Sequence, residues 1–258
     1  MTSAQSMQPD QRKARTAARF GFLLVTVSSL LCSCTQNQLL HPAVLQAPYE
    51  RPQLWAVAPF ANESGVSAVD ANRVADLFTE QAQQADRINT VPVNRVLEAM
   101  QRLQMPAVQT PGDARTLMNV LDVDGLIVGT VTAYDPYRPP KLGLAVELHA
   151  RDSEAYARRV DPWELVRSGR GDPAPGELGP ANPVAQAAGV FDAHHHDTLM
   201  RLRHYARGRD EPQSAYGPDI YLVRMELYTQ FVCHQLIGDL LACEQSRINL
   251  AAAENQVR

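Results

Sequence analysis

The sequence predicts an α/β domain built on a mixed β-sheet, and three observations carry that prediction. Apolar runs of strand length, Leu54–Phe60 and Gly125–Thr132, are separated by stretches whose apolar residues recur every three or four positions, the period of a helix resting on a core. After Asp135 the period drops to two, the mark of a strand with one wet face. Near the carboxyl end an apolar stripe adds a helix broad enough to cover a sheet.

Taken in order, Leu54-Trp55-Ala56-Val57-Ala58-Pro59-Phe60 reads as a buried first strand, closed by the turn-forming Asn62-Glu63-Ser64-Gly65. Asp70 is placed to cap a helix that carries Val74, Leu77, Phe78, Ala82 and Ala85 on one side. Ile88 to Val91 is a short strand. Val93, Val96, Leu97, Met100 and Leu103 mark a second helix, and Asp113 caps a third with Leu117, Val120 and Leu121. The β–α–β–α–α–β order that ends with Gly125–Thr132 implies parallel first strands with right-handed crossovers.

Asp135 to Pro140 forms a rigid turn, and Leu142, Leu144, Val146 and Leu148 then alternate with Gly143, Ala145, Glu147 and His149 as a returning hairpin strand. His149 falls on the polar side and reads as a solvated or rim residue. Residues 151–183 form a Pro/Gly-rich insertion, with Trp163, Leu165 and Val166 available to dock it on the body. Val184–Phe191 is a last strand. A short helix with Leu199, Leu202 and Tyr205 follows, its other side carrying Arg201, Arg203, Arg207 and Arg209 as a solvated basic face or a partner-binding patch. Gly217-Pro218-Asp219 starts a helix of about 25 residues, whose stripe of Met225, Leu227, Tyr228, Phe231, Val232, Leu236, Ile237 and Leu240 packs on the sheet or on a neighbouring subunit. Residues 247–258 read as a frayed tail.

The amino-terminal segment fixes location. Arg12, Lys13, Arg15 and Arg19 precede an apolar stretch, Phe20–Leu31, that is too short to span a bilayer of about 30 Å as a helix. Leu31-Cys32-Ser33-Cys34 then resembles the lipobox of bacterial lipoproteins, with Leu31 three residues before Cys34 and the small Ser33 just before it. Residues 1–33 are thus a signal peptide and Cys34 the lipidation site; an ordinary secretory signal is the other reading. Thr35 is not the aspartate that holds many lipoproteins at the inner membrane, which favours the periplasmic face of the outer membrane.

Removal of residues 1–33 leaves 225 residues and shifts the formal net charge from −4 to −7, because four cationic side chains leave with Asp10. An acidic chain of this kind is a poor nucleic-acid binder, so membrane attachment falls to acyl chains such as palmitate. Residues 34–53 read as a tether of at most about 60 Å, and 54–246 as a single domain. Cys233 and Cys243 lie on one helix about 15 Å apart and cannot pair within a chain.

Catalytic motifs are missing: the sequence contains no Gly-x-Ser-x-Gly elbow, no phosphate loop, no dinucleotide fingerprint and no Cys-x-x-Cys. The one sharp constellation is Asp192-Ala193-His194-His195-His196-Asp197. Successive histidines on a helix diverge by about 100°, so one or two of His194, His195 and His196 could share a metal with Asp192, Met200 or His204. A polar helix start accounts for the same letters.

Residues 55–148 carry a family resemblance. Val57-Ala58-Pro59-Phe60-Ala61-Asn62-Glu63-Ser64-Gly65 and Val123-Asp124-Gly125-Leu126-Ile127-Val128-Gly129-Thr130-Val131 resemble the opening strand and the Gly-Ser/Thr strand of the TolB N-terminal-domain-like fold, which is shared by CsgG, LpoB and PelC type envelope lipoproteins. The resemblance implies a three-layer α/β domain in a protein of the cell envelope that assembles with a protein partner or with itself. It implies neither enzymatic activity nor a cofactor. The expected role is therefore a lipid-anchored protein acting through association; a ring-forming component of an outer-membrane secretion or export system and a metal-binding protein using the histidine cluster are the alternatives.

Overall fold

The computed structural model describes residues 42–151, 183–209 and 215–256. The expected signal peptide and lipidation site, residues 1–33 and Cys34, and the expected insertion with Trp163, Leu165 and Val166 lie outside these residues. A mixed sheet forms the middle layer. Its parallel half contains β1 (Gln53–Val57) between β3 (Ile88–Val91) and β4 (Gly125–Asp135); β5 (Lys141–Ala150) and β6 (Ala185–Asp192) extend it antiparallel, in the order β3-β1-β4-β5-β6. With a strand on each side and helices above and below, Trp55, Ala56 and Val57 are all buried, which is why β1 reads as continuous apolar sequence. Asp124 fastens the pair: its Oδ2 accepts from the Leu54 amide at 2.8 Å and its own amide donates to the Leu54 carbonyl at 2.8 Å.

A two-residue strand, β2 (Ala61–Asn62), pairs parallel with β4 just before the turn. Pro59 interrupts the ladder between β1 and β2, so one apolar run yields two strand pieces. The turn itself is as expected, with Asn62 Oδ1 accepting from the Ser64 amide and hydroxyl at 3.1 and 2.7 Å. Gly129 is required where it stands, because a Cβ there would collide with the Phe60 ring.

Two helix layers seal the sheet with separate cores. On one face α2 (Val93–Arg102) and α3 (Pro111–Leu121) bring Val96, Met100, Leu117 and Met118 against Ala56, Ala58 and Leu126. On the other, α1 (Ala71–Ala82), α4 (His196–Ala206) and α6 (Met225–Gln256) bury Phe78, Tyr205, Phe231, Leu236 and Leu240 against Ile127, Leu144, Val146 and Leu148. Asp70 caps α1 as expected, accepting from the Arg73 amide at 3.0 Å. The cap of α3 is Thr110, not Asp113. Asp113 sits three residues further in and closes a reciprocal capping box, its Oδ2 accepting from the Thr110 amide at 2.8 Å while Thr110 Oγ1 accepts from the Asp113 amide at 3.2 Å.

Three further expectations change. His149, expected on a wet face, is buried, because β5 lies inside the sheet, His149 stands opposite Leu126, and α3 approaches that end of the strand. The carboxyl-terminal helix is longer than 25 residues. A 3₁₀ turn at Gly217–Asp219 and the single turn α5 (Ile220–Val223) precede a break at Arg224, and α6 then runs 32 residues to Gln256, about 48 Å, through the supposedly frayed tail. Ala251, Ala252 and Ala253 favour that continuation. Finally, Pro42–Pro52, read as the far half of a tether, lies against the body. Among the described residues no helix is long and apolar enough to cross a membrane.

Candidate functional site

The docked segment, here called the strap, is held to the body by a series of polar contacts. Leu45, Ala47 and Tyr49 alternate towards the main core, half-buried, while Val44, Gln46 and Glu50 face out. The Leu45 carbonyl accepts from the Asp86 amide at 2.8 Å, and Gln46 forms a parallel bridge with Asp86. Arg87, in the left-handed region at φ 62°, turns its guanidinium back onto the strap and donates to the carbonyls of Tyr49 at 2.7 Å and Glu50 at 3.2 Å. Upstream, Arg209 donates to the Ala43 carbonyl at 3.0 Å and lies 4.3 Å over the Tyr205 ring.

Tyr49 carries the strap into the core. Its ring meets Trp55 edge-on at 6.2 Å, and its hydroxyl donates to Glu244 Oε2 at 3.1 Å. Glu244 has no exposed surface; Arg247, one turn further along α6, grips both of its oxygens at 2.9 and 2.8 Å. Burial, with the Glu244 carboxylate next to it, pushes the Tyr49 phenol far above its usual range, so it remains a neutral donor. An ion pair out of water needs its remaining lone pairs filled, and Tyr49 fills one.

A hollow of about 240 Å³ lies under the strap, between Pro42, Val44, Gln84, Arg209 and His234. The His234 ring meets Tyr205 at a tilt of 52°, with ring centres 4.9 Å apart. Burial lowers its pKa to about 4, and the Arg209 charge acts the same way, so the ring is neutral at pH 7. A wider open hollow between α1 and α2 is polar, but Arg73 there already pairs with Glu80 at 3.5 Å and Glu226 at 3.4 Å.

The histidine run sits at the other end of the sheet. Asp192 closes β6, and its Oδ1 accepts from the His194 amide at 2.9 Å and contacts His194 Nδ1 at 2.8 Å, while Lys141 Nζ lies 3.3 Å from Oδ2. The His194 amide foremost, then the His194 ring and Lys141, hold the Asp192 carboxyl at about 2 against the opposing effect of desolvation. His195 occupies the cap position of α4 without a side-chain cap bond, and His196 is its first residue. Asp192 and His194 are thus brought together, whereas His195, His196 and His204 point to solvent and Met200 is half exposed. Among the described residues no three His, Cys, Asp or Glu side chains converge as a metal site. Arg201, Arg203 and Arg207 are exposed, but Arg209 belongs to the strap. Cys233 is buried and Cys243 half-buried, both as free thiols.

These elements define a three-layer α/β domain with a mixed sheet and a long carboxyl-terminal helix, the fold expected from sequence. Among solved structures the chain is similar to the C-terminal domain of LpoB from Salmonella enterica, with 11% identity and a TM-score of 0.37 over 56% of this chain and 86% of that one. It is also similar to a lipoprotein from Neisseria meningitidis, at 14% identity and a TM-score of 0.33 over 55% of this chain and 81% of the other. A third similar structure is the PelC dodecamer from Paraburkholderia phytofirmans, at 9% identity and a TM-score of 0.35 over 77% and 93%. No protein-family model and no curated protein matches the chain.

Proposed function

We propose that the protein is a lipid-anchored component of the cell envelope, held through Cys34 at the periplasmic face of the outer membrane, and that it works by protein association, not catalysis. The observation that carries this reading is the strap. Pro42, only eight residues after the lipobox cysteine, already lies at the body, and from Ala43 to Glu50 its carbonyls are taken by Arg209, the Asp86 amide and Arg87. A segment so fixed is a mounting. The eight residues from Cys34 to Pro42 can span at most about 28 Å, against about 60 Å for the whole segment if none of it were docked. The charged groups that would be the first candidates for chemistry at these hollows are already engaged, Arg73 with Glu80 and Glu226 and Arg209 with the strap, which favours association over chemistry. The outer side of β4–β6, bearing Thr130, Thr132, Gln186, Ala188 and Val190, offers surface for a protein partner.

The test is Cys34→Ala. Acyl chains contribute about 0.8 kcal/mol per buried CH₂, so their loss should move the protein from the membrane pellet to the soluble fraction. Retention of Cys34→Ala in the pellet would refute the anchor.

A further inference from the structure

We propose that β6 is an open sheet edge that pairs antiparallel with β6 of a second copy of this chain; the inference rests on the association reading above and names its surface. The β5–β6 register runs from Lys141↔Asp192 to Leu148↔Ala185, and the Ala193 amide donates to the Pro140 carbonyl at 3.0 Å. That bond sets the parity of the ladder. Odd-numbered residues of β6 turn their backbone groups to β5, and Gln186, Ala188 and Val190 turn theirs outward. Among the described residues, the group that meets these outward atoms is Cys243 Sγ, 3.8 Å from the Gln186 carbonyl. The side chains of Gln186 and Ala188 are exposed, and Val190 is 58% exposed.

Proteins normally protect such an edge with lysine, proline, a bulge or a very short strand. Ala185-Gln186-Ala187-Ala188-Gly189-Val190-Phe191 contains neither lysine nor proline, its register to β5 is unbroken, and β6 is eight residues long. The opposite edge is treated differently. There β3 has four residues, and the strap bridges to Asp86 just before it.

A second copy suits this edge for reasons of charge and shape. The chain is net acidic, yet no charge lies between Ala185 and Phe191, so two like edges meet without repulsion at the seam. A two-fold axis at Ala188 sets Ala188 opposite itself and Gln186 opposite Val190 of the second copy, giving roughly six ladder bonds. Confinement of both copies to one membrane by their lipids raises the effective concentration, so a modest seam suffices.

The experiment is disulfide trapping of full-length Ala188→Cys protein in its own membranes. Facing residues of a hydrogen-bonded antiparallel pair have Cα atoms about 5.5 Å apart, within disulfide range. Mild oxidation should give a dimer at least tenfold above that from Thr132→Cys, which is exposed on the same sheet face, and adding Val190→Lys should abolish it. No dimer while the Ala188→Cys thiol reacts fully with a maleimide, equal trapping from Thr132→Cys, or a mixed disulfide with a different protein would each overturn the proposal. Sedimentation of the Cys34→Ala protein separates the two readings, since it tests the edge without the lipid. A concentration-dependent dimer weakened at least tenfold by Ala188→Pro, which removes an outward N–H and leaves the β5 ladder intact, is expected; a monomer up to about millimolar concentration overturns it.

Discussion

Arg247→Met tests whether the Tyr49–Glu244–Arg247 cluster holds the strap. The change keeps most of the side-chain volume and removes both guanidinium bonds to Glu244, at 2.9 and 2.8 Å. Glu244 is wholly buried, so water cannot replace them without opening the strap. Breaking one partner out of a buried ion pair costs about 3 to 5 kcal/mol. Tyr49→Phe removes a single bond to a charged acceptor, about 1.5 to 3 kcal/mol, and leaves the pair in place. Urea unfolding of the Cys34→Ala protein measures both. Because the groups share one carboxylate, the double variant should fall short of the sum by about 0.5 to 3 kcal/mol. Limited proteolysis supplies the structural readout: cleavage within residues 42–52 should rise in both variants before the sheet unfolds. A loss below about 1 kcal/mol for Arg247→Met, or full additivity with Tyr49→Phe, would show that the cluster does not hold the strap.

Leu236→Ala or Leu240→Ala, each at a fully buried position, should cost about 2 to 5 kcal/mol in denaturant unfolding. Replacing His195 and His196 with Gln should change stability by less than about 0.5 kcal/mol because both side chains are exposed, and a brief chelator wash of the unaltered protein should leave its melting temperature unchanged. His234, with its pKa lowered to about 4, binds a proton more readily in the unfolded chain; its contribution is therefore complete above about pH 6.5 and lost as the pH falls towards 4, and His234→Gln should flatten the stability–pH curve in that window. Asp192, held at about 2, works in the lower range, its contribution present above about pH 4 and lost as the pH falls through 2; melting of Asp192→Asn across that range checks it.

The sheet and its helices were legible because their signals are local and repeated. Trp55–Val57 and Leu126–Val128 are apolar without interruption since both faces of the parallel half are covered, and Val74, Leu77 and Phe78 return at helical spacing. The strap was not legible. Leu45, Ala47 and Tyr49 alternate over only five residues, one of them Pro48, and Tyr49 meets Glu244 across 195 positions, so nothing near either residue announces the other. Glu244 and Arg247, three apart on a helix, have the spacing of an ordinary surface pair; only tertiary burial turns them into a core element. His149 failed for a related reason, since strand alternation records the pleat but not the helix that covers its second face. At the histidine run, sequence put the letters together, while the β6–α4 turn leaves only His194 on Asp192.

The strap also determines how the molecule carries load. A pull on the chain ahead of Pro42 meets the contacts in series: Arg209 on Ala43, then Asp86 on Leu45, then Arg87 and Glu244 on Tyr49, and only afterwards β1 at Gln53. Bonds loaded singly peel at low force, whereas the parallel ladders on both sides of β1 share the strain. Released in that order, the eleven residues from Pro42 to Pro52 would pay out about 35 Å of chain before tension reached the sheet.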